Sequence, residues 1–229
     1  LRGVVTEDVT HAWYEGAEKR HPWQGETKEH YTNFQDDGKY TWVKAPRYDD
    51  LPTEVGPVAD VLVGYARGHE ATRKWTDEAL GVVQSLAKRK VPVAKLQSTM
   101  GRHLTRAIRT VILADLFTKH WEKLVDNISR GDLRSHEPPV FPSGAVEGVG
   151  FHEAPRGMLS HWCVVEKGIL KNYQAVVPTT WNASPRDAEG RSGPYEEALL
   201  GTPIAHAEKP LEVLQIGRAS CRERVFPVV

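Results

Sequence analysis

The stretch Leu159–Val177 reads LSHWCVVEKGILKNYQAVV, and it contains two apolar runs separated by Lys167-Gly168. Both runs are rich in β-branched and aromatic residues, which favour strands. A two-residue connection that contains Gly is typical of a tight turn between antiparallel strands. We therefore predict a β-hairpin with strands at Leu159–Glu166 and Ile169–Val177.

Polar groups flank both ends of this hairpin. Arg156 lies in the segment EAPRG at 153–157, directly before the first strand, and Pro178-Thr179 follows the second strand. A hairpin could bring these segments together, and a guanidinium beside a hydroxyl and free backbone N–H groups would form a donor-rich pocket for a small anion or polar ligand. From local sequence alone, however, an Arg next to Pro and Gly is more often a surface or salt-bridging residue than a catalytic one. Spacing does not choose between these two interpretations.

Three helices are predicted before the hairpin. The first begins at Gly56-Pro57, because Pro is well tolerated at the first helical position, and it ends near Gly68. The second spans about 69–86, and the third spans about 98–128, a length on the order of 45 Å. Their expected buried faces comprise Val58, Val61, Leu62 and Tyr65, then Trp75, Ala79, Val82, Val83 and Leu86, and finally Leu104, Ile108, Val111, Ile112, Phe117, Trp121, Leu124 and Ile128. The expected fold class is therefore mainly α (α+β), a long-helix bundle with a β-hairpin beside it.

The remaining segments are predicted to be irregular. Residues 1–52 show little helical period, and Pro22 and Pro46 exclude a continuous helix, so loops and short strands are expected there. The segment EPPVFP at 137–142 cannot be helical either.

The composition is that of an ordinary globular protein, with 40% hydrophobic and 26% charged residues among 229. The formal net charge is zero, so nothing argues for a nucleic-acid or membrane-surface partner. No apolar run reaches the roughly 18 to 20 residues that span a bilayer. The two cysteines, Cys163 and Cys221, are too few for a disulfide framework and too far apart for a CxxC metal site. Cys163 is interpreted as a small buried apolar residue.

Several segments together resemble the large, catalytic subunit of nickel–iron hydrogenases. They are EAPRG at 153–157, VVPTTWN at 176–182 and PRD at 185–187, with STMGR at 98–102, YTWVK at 40–44, EVGP at 54–57, HP at 21–22, HAWY at 11–14 and PLEVL at 210–214. They follow the family's order over about residues 8–215. The form WNASPRD at 181–187 is most similar to the membrane-bound uptake branch. The resemblance implies that the full-length parent reversibly splits H₂ into protons and electrons, with uptake as the expected direction.

The resemblance also implies roles for particular residues. In this family nickel and iron share four cysteine thiolates, and the iron carries carbonyl and cyanide ligands. Arg156 would be the arginine whose guanidinium hangs over the open metal position, as base or electrostatic partner to H₂ and as a donor to one cyanide. Pro155 would line the same pocket, and Thr179 would hold a second cyanide. Val177 and Pro178 would pack around the diatomic ligands.

A further metal and the partners follow from the same resemblance. The backbone carbonyl of Ala175 matches a position that contributes to a buried magnesium site in relatives. The expected partners are a small subunit that carries iron–sulfur clusters and, in the uptake branch, a membrane cytochrome b. The aromatic segment 11–48 could contribute to such an interface, although Trp and Tyr look the same in a core. The expected location is the periplasmic face of the cell membrane.

The family's two cysteine pairs are absent from this chain. The first pair would lie upstream of Leu1, and the second normally follows residues 210–214 as DPCxxC, with a His that completes the magnesium site. Here the chain reads IGRASCRERV at 216–225. The codons ATC GGA AGA GCG TCG TGT AGG GAA AGA GTG would encode this string, and they resemble a sequencing-library adapter. We therefore expect 1–215 to be a partial large-subunit domain and 216–229 to be a non-native tail from adapter read-through. The fragment itself is expected to be inactive and to bind neither the nickel–iron centre nor magnesium stably.

Two alternatives remain open from the sequence. One is a metal-free homologue, such as the quinone-site subunit of respiratory complex I, and the other is a helical interaction module without chemistry. The EAPRG and TTWN segments favour the hydrogenase. Two further expectations concern structure rather than chemistry. Arg102 and Arg106 share a helix face and form either buried ion pairs or part of a solvated face. Arg186-Asp187 orders the loop after Asn182.

Overall fold

The computed structural model describes residues 4–16, 19–35, 38–140 and 143–220. Its strands are β1 (Val5–Asp8), β2 (Ala45–Tyr48), β3 (Ala145–Ala154), β4 (Gly157–Glu166) and β5 (Ile169–Val176). Its helices are α1 (Pro57–Ala66), α2 (Glu70–Ala87), α3 (Thr99–Ser129), α4 (Pro178–Asn182), α5 (Pro194–Leu199) and α6 (Leu211–Ser220), and a 3-10 helix spans Val93–Gln97. The expected α+β architecture is confirmed.

The predicted hairpin is present as β4 and β5. The two strands are antiparallel, with Ser160 paired with Val176 and Glu166 paired with Ile169. Lys167 and Gly168 form the turn, with φ of +51° and +75°. Positive φ at both central residues matches the right-handed twist of paired strands, which is why Gly suits the second position.

One strand was missed by the sequence analysis. Strand β3 pairs antiparallel with β4 along its full length, from Ala145 opposite Glu166 to Ala154 opposite Gly157. The segment EAPRG was expected only to precede the first strand; in fact it forms the connection between β3 and β4. Glycines at 148 and 150 weaken the strand pattern of this segment. Its conformation is supported by hydrogen bonding to β4, which local sequence does not report.

The three predicted helices are confirmed as α1, α2 and α3, which pack against one another. Pro57 opens α1, and the Ser98 hydroxyl caps α3 by accepting a hydrogen bond of 3.1 Å from the Gly101 N–H. Their core contains Val61, Leu80, Leu96 and Ile108, with Leu62, Trp75, Ala79, Leu104 and Ile112 packed around it. Full burial of an aliphatic side chain of this size contributes about 1.5–3 kcal/mol.

The predicted buried faces of α2 and α3 are wrong in part. On α2, Val82 and Leu86 are exposed, whereas Thr72, Thr76 and Leu80 are buried. On α3, burial stops near Ile108, and Phe117, Trp121, Leu124 and Ile128 are all at least half exposed. Periodicity indicates which face of a helix is apolar, but an apolar face is buried only where another element covers it.

A second core lies between the sheets and α4. It consists of Val5, Trp162, Val176 and Trp181, against which Trp23 and Val55 pack. The Trp162 side chain is fully buried, and its indole N–H donates to the Ser160 hydroxyl at 2.9 Å. Because this core includes residues from β1, β4, β5 and α4, it attaches α4 to the end of the sheet.

The last described helix crosses the expected domain boundary after Gln215. Helix α6 continues from Leu211 to Ser220, and the Ile216 side chain is 2% exposed. The assignment of 216–229 to a non-native tail remains a prediction, and Cys221 lies outside the described residues. None of the described helices combines the length and the apolar character that a membrane-spanning helix needs.

Candidate functional site

Three segments meet at one end of the three-stranded sheet. They are the Pro155-Arg156 turn between β3 and β4, the segment Glu54–Pro57 that leads into α1, and α4. A β-carbon at Gly157 would lie 2.6 Å from the backbone nitrogen of Gly56, and Gly157 has φ of +131°. Only glycine allows so close a backbone approach in this conformation. The turn that carries Arg156 is therefore packed directly against the start of α1.

Helix α4 is held at the same place by Asn182. Its side-chain carbonyl accepts a hydrogen bond from the Val55 N–H, and its amide donates to the Val55 carbonyl, each at 2.9 Å. Asn182 is fully buried, so its amide group finds its hydrogen-bond partners in the protein rather than in water. The register of β4 and β5, with Ser160 opposite Val176, brings Thr179 to the same end of the sheet as Gly157.

A salt bridge ties the segment before α1 to the start of α3. The Arg102 guanidinium contacts both carboxylate oxygens of Glu54, each at 2.8 Å. The Arg102 residue is 9% exposed, so the expectation of a buried ion pair is confirmed over that of a solvated face. Bidentate geometry of this kind is the strong form of the Arg–carboxylate contact.

A second arginine of α3 holds the end of β3. Arg109 Nη1 lies 2.9 Å from Asp60 Oδ2, 3.3 Å from Glu153 Oε1 and 3.1 Å from the carbonyl oxygen of Ala154. Burial raises the pKa of Glu153 to about 7; the Asp60 carboxyl adds to this rise and Arg109 opposes it. Burial likewise raises the pKa of Asp60 above its ordinary value. One guanidinium thus joins α1, α3 and the strand that leads into the Arg156 turn.

The loop after α4 is ordered by Asp187, as expected. Its side chain is fully buried and accepts hydrogen bonds from Arg47 Nε at 2.8 Å and from the Arg191 N–H and Nε at 2.9 Å. Burial opposes ionisation of Asp187, but these donors outweigh it and lower its pKa. Arg186 is exposed, and its backbone N–H donates to the Tyr40 hydroxyl. The buried Arg47–Asp187 pair therefore fixes the loop to β2.

The residues singled out from the sequence lie in or beside these segments. Arg156 is half-buried in the turn and Pro155 is exposed, whereas Pro178 is buried and Thr179 half-buried at the start of α4. Val177 precedes α4 and is 39% exposed. Residues 178–182, which follow the predicted second strand, form a short helix with Pro178 in its first turn, where Pro is well tolerated.

Ala175 lies on β5, opposite His161 of β4. Its neighbour Gln174 accepts a hydrogen bond of 3.2 Å from Lys44, which also pairs with the buried Glu7 at 2.8 Å. Sequence reasoning did not single out Glu54, Asp60, Arg109 or Glu153 as site residues. Glu54 and Glu153 belong to the segments EVGP and EAPRG, which resemble the hydrogenase large subunit, and this was the only indication of their importance in the sequence. Their partners, Arg102 and Arg109, are distant along the chain.

The described residues do not supply a metal-binding set. Among them, no group of three or more His, Cys, Asp or Glu side chains could hold a metal ion. Cys163 is a free thiol on β4 and is half-buried, so it is less enclosed than expected. The described part of the site therefore consists of hydrogen-bond donors and apolar groups.

Comparison with known proteins identifies the family. The model of the nickel-dependent hydrogenase family matches residues 2–219. The chain therefore belongs to the nickel-dependent hydrogenase family, and the resemblance to its large subunit is confirmed.

Individual relatives agree with this assignment. The chain is 44% identical over 212 residues to the hydrogenase-2 large chain of Escherichia coli (strain K12), covering 92% of this chain and 37% of that protein. It is 39% identical to the uptake hydrogenase large subunit of Rhizobium leguminosarum bv. viciae, covering 92% and 38%. The structure of a reduced, active form of the Ni-Fe-Se hydrogenase from Desulfomicrobium baculatum has a TM-score of 0.71 at 32% identity, covering 95% of this chain and 43% of that chain. The chain thus spans about two fifths of the curated relatives that it matches.

Proposed function

We propose that this chain is part of the catalytic subunit of an enzyme that splits H₂ into protons and electrons, with uptake as the working direction. The support comes from the family match and from two large-chain relatives named hydrogenases, one of them an uptake hydrogenase. These relatives favour the hydrogenase over a metal-free homologue and over an interaction module.

The observation that carries the proposal is the position of Arg156. Its turn is packed against the start of α1, and the residues before the turn are held by Arg109. A guanidinium on so well supported a turn can act as a preorganised donor to charge that develops beside it. We assign Arg156 this role toward H₂ and toward one cyanide ligand.

The other residues at this end of the sheet would shape the pocket. Pro155 would line it beside Arg156, Thr179 would donate to a second cyanide, and Val177 and Pro178 would pack against diatomic ligands. Support comes from the sheet register, which brings the Arg156 turn and the start of α4 to the same end of the sheet. The carbonyl group of Ala175 would contribute to a magnesium site.

The nickel–iron centre itself would be held by thiolates from other parts of the parent protein. When bound, such a centre offers an open position at which H₂ is split heterolytically. The described residues carry no ligand set for it, so their proposed contribution is limited to donors, packing and exclusion of water.

The partners are proposed from the names of the relatives. A protein called a large chain or large subunit implies a small subunit, which we expect to carry iron–sulfur clusters. One relative is a quinone-reactive hydrogenase of Wolinella succinogenes, which fits electron transfer to a membrane cytochrome b. We therefore propose membrane association at the periplasmic face, with H₂ as substrate and no nucleic acid.

The test is Arg156→Ala and Arg156→Lys in the full-length parent enzyme. H₂ oxidation with an artificial electron acceptor should fall by about a hundredfold to a thousandfold in both variants, with nickel and iron contents unchanged. Arg186→Lys is the matched control, because Arg186 is an exposed arginine on the loop after α4. Unchanged H₂ turnover in Arg156→Ala would refute the proposed role.

A further inference from the structure

Two carboxyl groups face each other beside the Arg156 turn. Asp60 lies on α1 and Glu153 on β3, and Arg109 Nη1 contacts both, at 2.9 Å from Asp60 Oδ2 and 3.3 Å from Glu153 Oε1. Both are about one-third exposed, whereas the Arg109 side chain that contacts them is 12% exposed.

The surrounding charges favour one proton on this pair. With both groups ionised, two negative charges would face the single guanidinium of Arg109, and one would remain uncompensated. Burial and the Asp60 carboxyl raise the pKa of Glu153 to about 7, so the proton is exchangeable near neutral pH. The other charged or titratable groups close to the pair are Arg67 and His69, which line the same cavity, and Arg156, three residues along the turn.

A cavity connects the pair with its surroundings. It has a volume of about 670 Å³, and its lining includes Gly56, Asp60, Arg67, His69 and Glu153. Gly56 contacts the Arg156 backbone, whereas Arg67 is exposed near the end of α1. The cavity is large enough for several water molecules, which can carry protons between carboxyl groups and solvent.

We propose that Glu153 and Asp60 form a proton relay for the reaction at Arg156. A proton that leaves the site binds an oxygen of Glu153, and the proton already held by the pair leaves from Asp60 to water in the cavity. No electrons move, and the pair returns to its singly protonated state. This inference rests on the proposed function, and it assigns Glu153 and Asp60 to proton transfer rather than to the splitting of H₂.

The test uses Glu153→Gln and Asp60→Asn in the full-length parent enzyme with its metals. Both amides preserve shape and hydrogen bonding but cannot carry the proton. HD formation from D₂ in H₂O and H₂ oxidation should each fall about a hundredfold, the scale of positioned acid–base groups. Conversion of para-H₂ to ortho-H₂ should stay within about twofold, because splitting and rejoining H₂ needs no exchange with solvent. Glu153→Asp should restore part of the HD formation.

The controls separate a relay from other roles. Glu147→Gln changes an exposed carboxyl on the same strand and should leave all three rates unchanged. Unaltered HD formation in both test variants would overturn the relay. Parallel loss of all three rates, with metals retained, would also overturn it and would assign the pair to positioning of the Arg156 turn. Failure of the proposed function is recognised independently, by an Arg156→Ala enzyme that retains H₂ turnover.

Discussion

The Asn182 side chain forms hydrogen bonds with both backbone groups of Val55, 127 positions away along the chain, with two distances of 2.9 Å. This pairing holds α4 against the segment that leads into α1. It also places the start of α4 and the Arg156 turn around the same short stretch, Val55-Gly56. The candidate site is therefore organised around Val55-Gly56, and the ion pairs of Arg102 and Arg109 hold the neighbouring segments in place.

Asn182→Ala should destabilise the chain. The change removes two hydrogen bonds to the partly buried backbone of Val55, and the loss of each costs about 0.5–1.5 kcal/mol. Urea unfolding of the purified chain, followed by circular dichroism, should show this loss in the free energy of unfolding. Asn127→Ala, at an exposed position near the end of α3, is the control and should change it by less than about 0.5 kcal/mol. Equal effects of the two substitutions would contradict the role given to Asn182.

Asp187→Asn should lower the free energy of unfolding by more than Asn182→Ala does. Arg47 and Asp187 are both fully buried, so removing one charge leaves the other without compensation, which costs about 3–5 kcal/mol. The exposed pair Arg134–Asp132 offers a matched control, and Asp132→Asn should have an effect below about 1 kcal/mol. Denaturant unfolding of both variants at neutral pH measures the difference. A loss of less than 1 kcal/mol in Asp187→Asn would show that the loop does not depend on this pair.

The same aspartate predicts how stability depends on pH. Its pKa in the folded chain lies below the ordinary value of 3.8, so its contribution is fully present above that value. The contribution is lost as the pH falls through the lowered pKa, because the unfolded chain then binds the proton more readily. The difference in the free energy of unfolding between the original chain and Asp187→Asn should therefore shrink in acid. Unfolding measured from pH 7 down to pH 3 tests this, and a constant difference over that range would contradict it.

Two helical glycines should respond in opposite directions to alanine. A β-carbon at Gly101 would lie 2.5 Å from the Cα atom of Leu96, so Gly101→Ala forces α3 away from the 3-10 helix at a cost of about 3 kcal/mol. Gly81 lies inside α2, and a β-carbon there meets nothing within 4 Å. Gly81→Ala should stabilise the chain by about 0.5–1 kcal/mol, since alanine favours helix more than glycine does. Thermal unfolding followed by circular dichroism measures both changes, and equal signs would show that the Gly101 contact is not tight.

The sequence by itself determined those turns and helices whose formation depends on residues close to one another along the chain. The Lys167-Gly168 turn, the start of α1 at Pro57 and the extent of α3 all follow from turn chemistry, helix capping and apolar periodicity. The segments that resemble the hydrogenase large subunit also indicated the family, and they are the basis for proposing Arg156 as a site residue.

Only the tertiary structure decided which surfaces are covered and which distant groups meet. Phe117 and Trp121 continue the apolar face of α3 and yet are exposed, because burial depends on a neighbouring element and not on periodicity. Strand β3 was not predicted, because its glycines weaken the sequence pattern that is typical of a strand. Pairing with β4 stabilises the strand nevertheless. The contact of Arg109 with Asp60 and Glu153 joins residues on three elements. Sequence patterns within one element do not predict such a contact. It forms because α1 and α3 pack against the end of the sheet.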